Sequence, residues 1–98
     1  MQGETKFKRR VLNDLAALEV FVIKIQQVST CGDPDIVLCA AGNFVALELK
    51  TERGRTSPLQ KYKLRKIQES GGISFVVVPS TWPEVLSFIV KLISKGVA

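Results

Sequence analysis

The sequence predicts one α/β domain with the element order αβββαβα, a mixed central sheet flanked by helices. Three observations lead there. Two short, β-branched-rich apolar runs, 36–40 and 44–47, are separated by Ala41-Gly42-Asn43, the pattern of a hairpin. A helical segment, 58–70, lies between that hairpin and a further apolar run, 73–78. Strand, helix and strand in that order form a right-handed parallel crossover, so antiparallel and parallel pairings share one sheet. Amphipathic helices are expected at both ends of the chain.

The first helix is expected over 4–18, where Phe7, Val11, Leu15 and Leu18 form one apolar stripe. Glu4 stands at the head of that stripe, while Lys6, Arg9, Arg10 and Asn13 lie outside it. A strand over 20–25 follows and ends in the polar loop Ser29-Thr30-Cys31-Gly32. After the hairpin, Arg53-Gly54-Arg55 forms a basic loop. Ser57-Pro58-Leu59-Gln60 has the form of a capping box with proline at the first helical position, and Gly71-Gly72 stops that helix. Strand 73–78 is closed by Pro79. Thr81-Trp82-Pro83-Glu84 reads as a second capping box, opening a final helix to about Ser94.

In that last helix Val85, Leu86, Phe88, Ile89, Val90, Leu92 and Ile93 cover more than one face. So small a chain does not easily bury both sides of its terminal helix. A homodimer through the C-terminal helix is therefore expected. Ordinary exposed apolar surface is the plainer alternative.

Composition bounds the function. Ninety-eight residues make a single domain over 1–98, burying about two-thirds of the unfolded chain's surface, with no room for a helicase or a separate recognition module. The net charge of +5 and a pI near 9.5 suit a polyanionic partner. Basic residues gather at Lys6, Lys8, Arg9 and Arg10, at Lys50, Arg53 and Arg55, and at Lys61, Lys63, Arg65 and Lys66. The third group alone reads as a solvated helix face. The aromatic residues read as structural, so contacts to nucleic acid are expected mainly along the backbone. The chain has no histidine, which removes Ser-His and Cys-His triads and most zinc sites. Cys31 and Cys39 lack CxxC spacing and read as structural thiols in a reducing compartment. The N-terminus has no secretory pattern, and the apolar stretch 85–93 is too short to span a bilayer. A soluble, cytoplasmic protein is expected.

The chemistry sits on the hairpin. Asp35 opens its first strand, and Glu48 and Lys50 lie on its second. With the turn centred between Ala41 and Gly42, the numbers of cross-strand partners sum to 83, so Asp35 is expected directly opposite Glu48. Opposed residues lie roughly 5 Å apart at Cβ. Glu48 and Lys50 share a face by the two-residue period. Two carboxylates can hold a hard divalent cation, and an ammonium can orient water or offset charge on a phosphoryl group. Against this stands a structural reading, in which Pro-Asp is a turn dipeptide and Glu-x-Lys a solvated ion pair. Two opposed carboxylates repel, however, and burial beside apolar strands worsens that unless a cation is present.

Gly32-Asp33-Pro34-Asp35 on one strand, Glu48-Leu49-Lys50 on the next and Ser57-Pro58-Leu59-Gln60 opening a helix resemble the PD-(D/E)XK nuclease superfamily. Within it the chain most resembles the virus-type replication-repair nuclease (VRR-NUC) family, with archaeal-type Holliday junction resolvases as relatives. The resemblance runs from about Glu4 to Phe88 and implies a restriction-endonuclease-like core. It implies Asp35, Glu48, the Leu49 carbonyl and Glu4 as ligands of Mg2+, with Mn2+ able to substitute, and Lys50 as the residue that positions or deprotonates the attacking water. It also implies that Gln60 borders the active site, although a capping glutamine needs no such role. Glu4 has a plainer reading too, as a carboxylate near a helix N-terminus.

The expectation is thus a structure-selective endonuclease acting on branched DNA such as junctions or flaps. Asp35, Glu48, Lys50, Glu4 and Gln60 form its site, and Lys8, Arg9, Arg53, Arg55 and Lys61 contact the DNA. A general or restriction-type nuclease with the same site is one alternative. A non-catalytic nucleic-acid-binding module of the same fold is another.

Overall fold

The structure, a computed structural model, describes the backbone of residues 2–25 and 32–96 and, within them, the side chains of 5–25 and 32–95. The elements are α1 (Gln2–Ala16), β1 (Phe21–Lys24), β2 (Ile36–Ala40), β3 (Asn43–Leu49), α2 (Pro58–Glu69), β4 (Ile73–Val77) and α3 (Trp82–Gly96). The four strands form one sheet in the order β1-β2-β3-β4. β1, β2 and β3 pair antiparallel and β3 pairs parallel with β4, so the sheet is mixed as the sequence predicts.

The hairpin register is the expected one, from Ile36↔Leu47 to Ala40↔Asn43. Its turn is two residues long, with Ala41 at φ 52° and Gly42 at φ 86°. Positive φ at both central positions matches the right-handed twist of the flanking strands. Asn43 therefore belongs to β3 rather than to the loop, and its side-chain amide donates to the Ala40 carbonyl at 3.0 Å.

One face of the sheet carries the core. Ile36, Leu38 and Ala40 of β2, Val45, Leu47 and Leu49 of β3, and Val77 of β4 pack with Phe7, Val11 and Leu15 of α1 and with Trp82, Val85 and Ile89 of α3. Trp82 is fully buried and its indole N–H donates to Asp14 at 2.8 Å, tying the two helices together. α1 ends at Ala16, and Leu18 reaches the core from the turn beyond it.

α2 lies on the opposite face. The buried Ser74 hydroxyl donates to the Leu64 carbonyl at 3.0 Å and accepts from Gln68 at 2.8 Å. The helix starts at the predicted capping box and ends in a Schellman motif, with Gly71 at φ 95° and its amide on the Gln68 carbonyl, and the Gly72 amide on the Ile67 carbonyl. The second predicted capping box does not form. The Thr81 hydroxyl instead exchanges hydrogen bonds with the Val78 amide and carbonyl, both at 3.1 Å, because the tight turn after β4 presents that peptide first.

Two further expectations change. α3 buries more of its apolar surface than its sequence suggests. Val85 and Ile89 are buried, Leu86, Leu92 and Ile93 pack at the edge of the core, and Phe88 and Val90 are the apolar residues left exposed. Cys39 is exposed rather than buried, because it points to the α2 face where α2 covers β3 and β4 only. Phe21, Ile23 and Phe44 lie on that same bare face, Phe21 at 70% exposure, so these aromatics are not core residues. Cys31 and the loop before it lie outside the described residues. Among the described residues no helix is long and apolar enough to cross a membrane.

Candidate active site

The end of the sheet where β2 begins and β3 ends collects the predicted chemistry. β3 is buried from Val45 to Leu49, which takes Glu48 into the interior at 2% exposure. A buried carboxylate is unfavourable by several kcal/mol unless it is compensated. Gln60 and Lys50 both contribute to compensating it. The Gln60 side-chain amide donates to Glu48 Oε2 at 2.8 Å, and Lys50 Nζ lies 3.4 Å from the same oxygen. Lys50 follows β3 directly and is held by its amide, which donates to the Val77 carbonyl at 2.9 Å. Glu48 and Lys50 thus share a face, as the two-residue period predicts.

Gln60 does two things at once. Its Oε1 accepts from the Ser57 amide at 2.9 Å, completing the capping box, and its Nε2 reaches Glu48. The capping bond and the bond to Glu48 are made by opposite ends of one amide, so the two readings that the sequence presents as alternatives do not compete for it.

Asp35 is held differently from the expectation. The ladder stops at Ile36↔Leu47, so Asp35 and Glu48 are not a ladder pair. The Asp35 amide donates to the Leu47 carbonyl at 3.1 Å, its carbonyl accepts from Ile25 at 2.9 Å, and its Oδ2 accepts from the Leu49 amide at 2.8 Å. The carboxylate has replaced a backbone acceptor for β3. That substitution brings it to the peptide joining Glu48 to Leu49, so the two acids still converge at one corner. The chain leading to it is pinned to α2 by a 2.7 Å ion pair between Asp33 and Lys63. Gly32 takes φ 68°, and a Cβ there would meet Leu59 at 2.6 Å, so only glycine fits the approach.

A cavity of about 170 Å3 opens beside this corner, lined by Thr5, Lys8, Asp35 and Leu49. The first turns of α1 therefore border the site. Glu4 lies in α1, and its side chain is outside the described residues. Among the described residues, no three His, Cys, Asp or Glu side chains gather as a metal-binding set. The donors at the corner are the two carboxylates and strand carbonyls, an oxygen-only set that fits a hard divalent cation rather than zinc.

The remaining predicted residues fall into two groups. Lys8 and Arg9 lie on α1 at the mouth of the site, and Arg53 and Arg55 are exposed in the loop after Lys50. Lys61 is exposed on the first turn of α2, beyond the capping box. The rest of the basic run on α2 is largely neutralised, with Lys63 on Asp33 and with Arg65 and Lys66 on Glu69.

Sequence reasoning missed three supporting contacts. Thr5 lines the cavity, a position that its place next to Glu4 signals. Glu52 accepts from the Ser80 amide and hydroxyl at 2.7 and 2.9 Å, clamping the basic loop to the turn before α3. Gly54 closes that loop against the Lys50 stem, where a Cβ would lie 3.1 Å from Lys50 Cβ. The last two depend on loop path and carry no local sequence signal.

No protein-family model matches the chain, and no curated protein matches it. Solved structures do. A VRR_NUC domain superposes with a TM-score of 0.68 at 22% identity, over 94% of this chain and 95% of that one. Hjc, a Holliday junction resolvase from the archaeal hyperthermophile Archaeoglobus fulgidus, superposes with a TM-score of 0.58 at 24% identity, over 76% of this chain and 66% of that one. The resemblance carried by the hairpin motif is thus matched by the fold.

Proposed function

We propose that the protein is a metal-dependent endonuclease that hydrolyses phosphodiester bonds in branched DNA of the junction or flap type. The observation that carries this reading is the buried Glu48 carboxylate, held by Gln60 and Lys50 at the corner that Asp35 also reaches. The fold shared with a VRR_NUC domain and a Holliday junction resolvase supports it. Asp35, Glu48, the Leu49 carbonyl and Glu4 would hold Mg2+, with Mn2+ as a substitute. The bound ion would polarise the phosphoryl group and acidify a water.

The chain's own residues supply the rest. Gln60 fixes the rotation of the Glu48 carboxylate through its 2.8 Å bond. Lys50, whose ammonium is tethered at the same oxygen, orients the attacking water and offsets the charge that grows on the phosphoryl oxygens. Lys8 borders the cavity beside Asp35 and is placed to hold the adjoining phosphate. Arg53, Arg55 and Lys61 extend positive charge on the other side.

Asp35→Asn and Glu48→Gln should each abolish metal-dependent cleavage while leaving DNA binding near that of the parent protein. Turnover that persists in either variant, or in excess EDTA, rejects the site. A panel of linear, flap and four-way DNAs separates branched-DNA selectivity from general nuclease activity.

We also propose that two copies pair through α3 and the free edge of β4. Val76 of β4 and Phe88 of α3 are exposed there, and Phe75, Val76, Thr81, Glu84, Val85 and Phe88 line a groove of about 350 Å3 between them. An unpaired strand edge beside apolar surface is suited to a two-fold contact. Val76→Glu should shift the wild-type dimer to monomer in light scattering. A wild-type monomer at micromolar concentration would remove the proposal.

A further inference from the structure

Lys24 ends β1 and belongs to none of the basic clusters in the sequence. In the fold it joins one. Lys24 faces Lys8, Arg9 and Asn13 of α1 across a cleft of about 320 Å3, completed by Thr5 and Leu12. Among the described residues no acidic side chain lines this cleft. Among the described residues none of Lys8, Arg9 and Lys24 makes an ion pair, in contrast to Lys63, Arg65 and Lys66 on α2. Three cations converging on one concavity repel one another, and walls of low dielectric strengthen the field inside it. An anion entering the cleft relieves that repulsion.

The cleft also has a direction. Thr5 and Lys8 line both it and the smaller cavity on Asp35 and Leu49, so the two spaces adjoin. Among the described residues no aromatic ring lines the cleft, so those side chains offer bases no stacking platform. Its donors are ammonium, guanidinium, amide and hydroxyl groups, which suit phosphate and sugar oxygens.

We infer that the cleft between α1 and β1 is a second phosphodiester-binding site, holding the sugar–phosphate backbone of the DNA duplex next to the scissile bond. Its placement relative to cleavage rests on the proposed nuclease reading, while the binding itself does not. Lys24 and Asn13 are the residues it adds to those that contact DNA.

The test measures binding in EDTA, so that turnover plays no part. Affinity for a short DNA duplex is followed by fluorescence anisotropy across a salt series for the parent protein, Lys24→Gln, Arg53→Gln and the control Lys66→Gln. Losing one phosphate contact lowers the slope of log K against log salt by about 0.9, which is roughly eight-fold in affinity at 0.1 M salt. Lys24→Gln should show that change and Lys66→Gln should not. In parallel, acetylation of Lys24 is followed by mass spectrometry with duplex or with inorganic phosphate alone. Protection by duplex at concentrations where phosphate gives none is the expected result. An unchanged slope for Lys24→Gln beside a lowered slope for Arg53→Gln overturns the cleft and leaves the nuclease reading standing. Protection by inorganic phosphate but not by duplex also overturns it, in favour of a small-anion site. If the parent protein fails to cleave any DNA while Lys24→Gln still lowers the slope, the cleft stands and the nuclease reading falls.

Discussion

Gln60→Glu separates the two ends of the amide that links α2 to the buried carboxylate. The variant keeps an oxygen for the Ser57 amide, so the helix cap survives. At the other end a donor 2.8 Å from Glu48 Oε2 becomes a second carboxylate oxygen. The lost bond to a charged partner is worth about 1.5–3 kcal/mol. Two unit charges at that separation would add up to about 6 kcal/mol of repulsion at an effective dielectric near 20. The pair is therefore expected to retain one shared proton in the folded state rather than carry both charges.

The sign of the pH dependence follows. A free glutamate titrates near 4.3 when the chain is unfolded. Above that pH the folded variant binds more protons than the unfolded chain, so its stability falls as pH rises. A net loss of about 3 kcal/mol near neutrality corresponds to a melting point lowered by about 15 °C in a domain of this size. The deficit should shrink towards pH 4. Ser57→Ala removes the Oγ that accepts from the Gln60 amide at 3.1 Å and leaves the Glu48 contact in place. It should cost about 1 kcal/mol at every pH and keep cleavage. Thermal melts over about pH 4–8, with single-turnover cleavage well below both transitions, read the two variants together. The Glu variant should cleave at least about ten-fold more slowly. A Gln60→Glu protein that melts and cuts like the parent at pH 7 would refute the role given to Nε2.

The other predictions concern the lysine and its backing loop. Lys50→Ala should reduce the cleavage rate far more than it weakens substrate binding, because its proposed contact strengthens in the transition state. Arg53→Ala and Arg55→Ala should instead raise the apparent Kd and lower the salt slope by about 0.9 each; a binding-only effect of Lys50→Ala would reverse the assignment. Gly54→Val places branched carbon where even a Cβ would lie 3.1 Å from Lys50 Cβ and 3.3 Å from its Cδ. Displacing the ammonium should lower kcat by roughly ten- to a hundred-fold with KM little changed, and an unaltered kcat would show that the loop does not position Lys50.

Which parts of this arrangement were legible in the sequence depends on how local their causes are. The hairpin register follows from the two-residue turn at Ala41 and Gly42, where glycine takes positive φ without cost and Ala41 enters the left-handed region with it, and the α2 cap and stop follow from Ser57, Gln60, Gly71 and Gly72. Those signals act within a few positions of one another. Asp35 was placed almost correctly, but its bond to the Leu49 amide arises where the ladder ends, and the register rule does not extend past that point. Cys39, which reads as a structural thiol, and Phe44, which reads with the structural aromatics, are exposed for a different reason. The run 36–40 is apolar without alternation, which marks a strand covered on both faces. Only one face is fully covered, because the crossover from β3 to β4 carries α2 away from β1 and β2.

Glu48 is where folding alone fails to account for the residue. Its neighbours Val45, Ala46, Leu47 and Leu49 are buried, and strand geometry does not set it apart, since Ala46 on the same face is buried as an apolar residue. An apolar side chain at position 48 would need neither Lys50 nor the far end of Gln60. The carboxylate instead commits both, and Lys50 in turn is backed by Gly54 in a loop that Glu52 clamps to Ser80. Local rules are expected to break at functional sites, with compensation nearby. Five cations that make no ion pair among the described residues follow the same geography. Lys8, Arg9 and Lys24 gather on the α1 side of this corner, and Arg53 and Arg55 follow Lys50, whereas the run on α2 is largely taken up by its own carboxylate partners. Lys6, Arg10, Lys91 and Lys95 also make no ion pair among the described residues, so what marks the corner is the buried acid with Gln60 and Lys50 on it rather than unpaired charge as such.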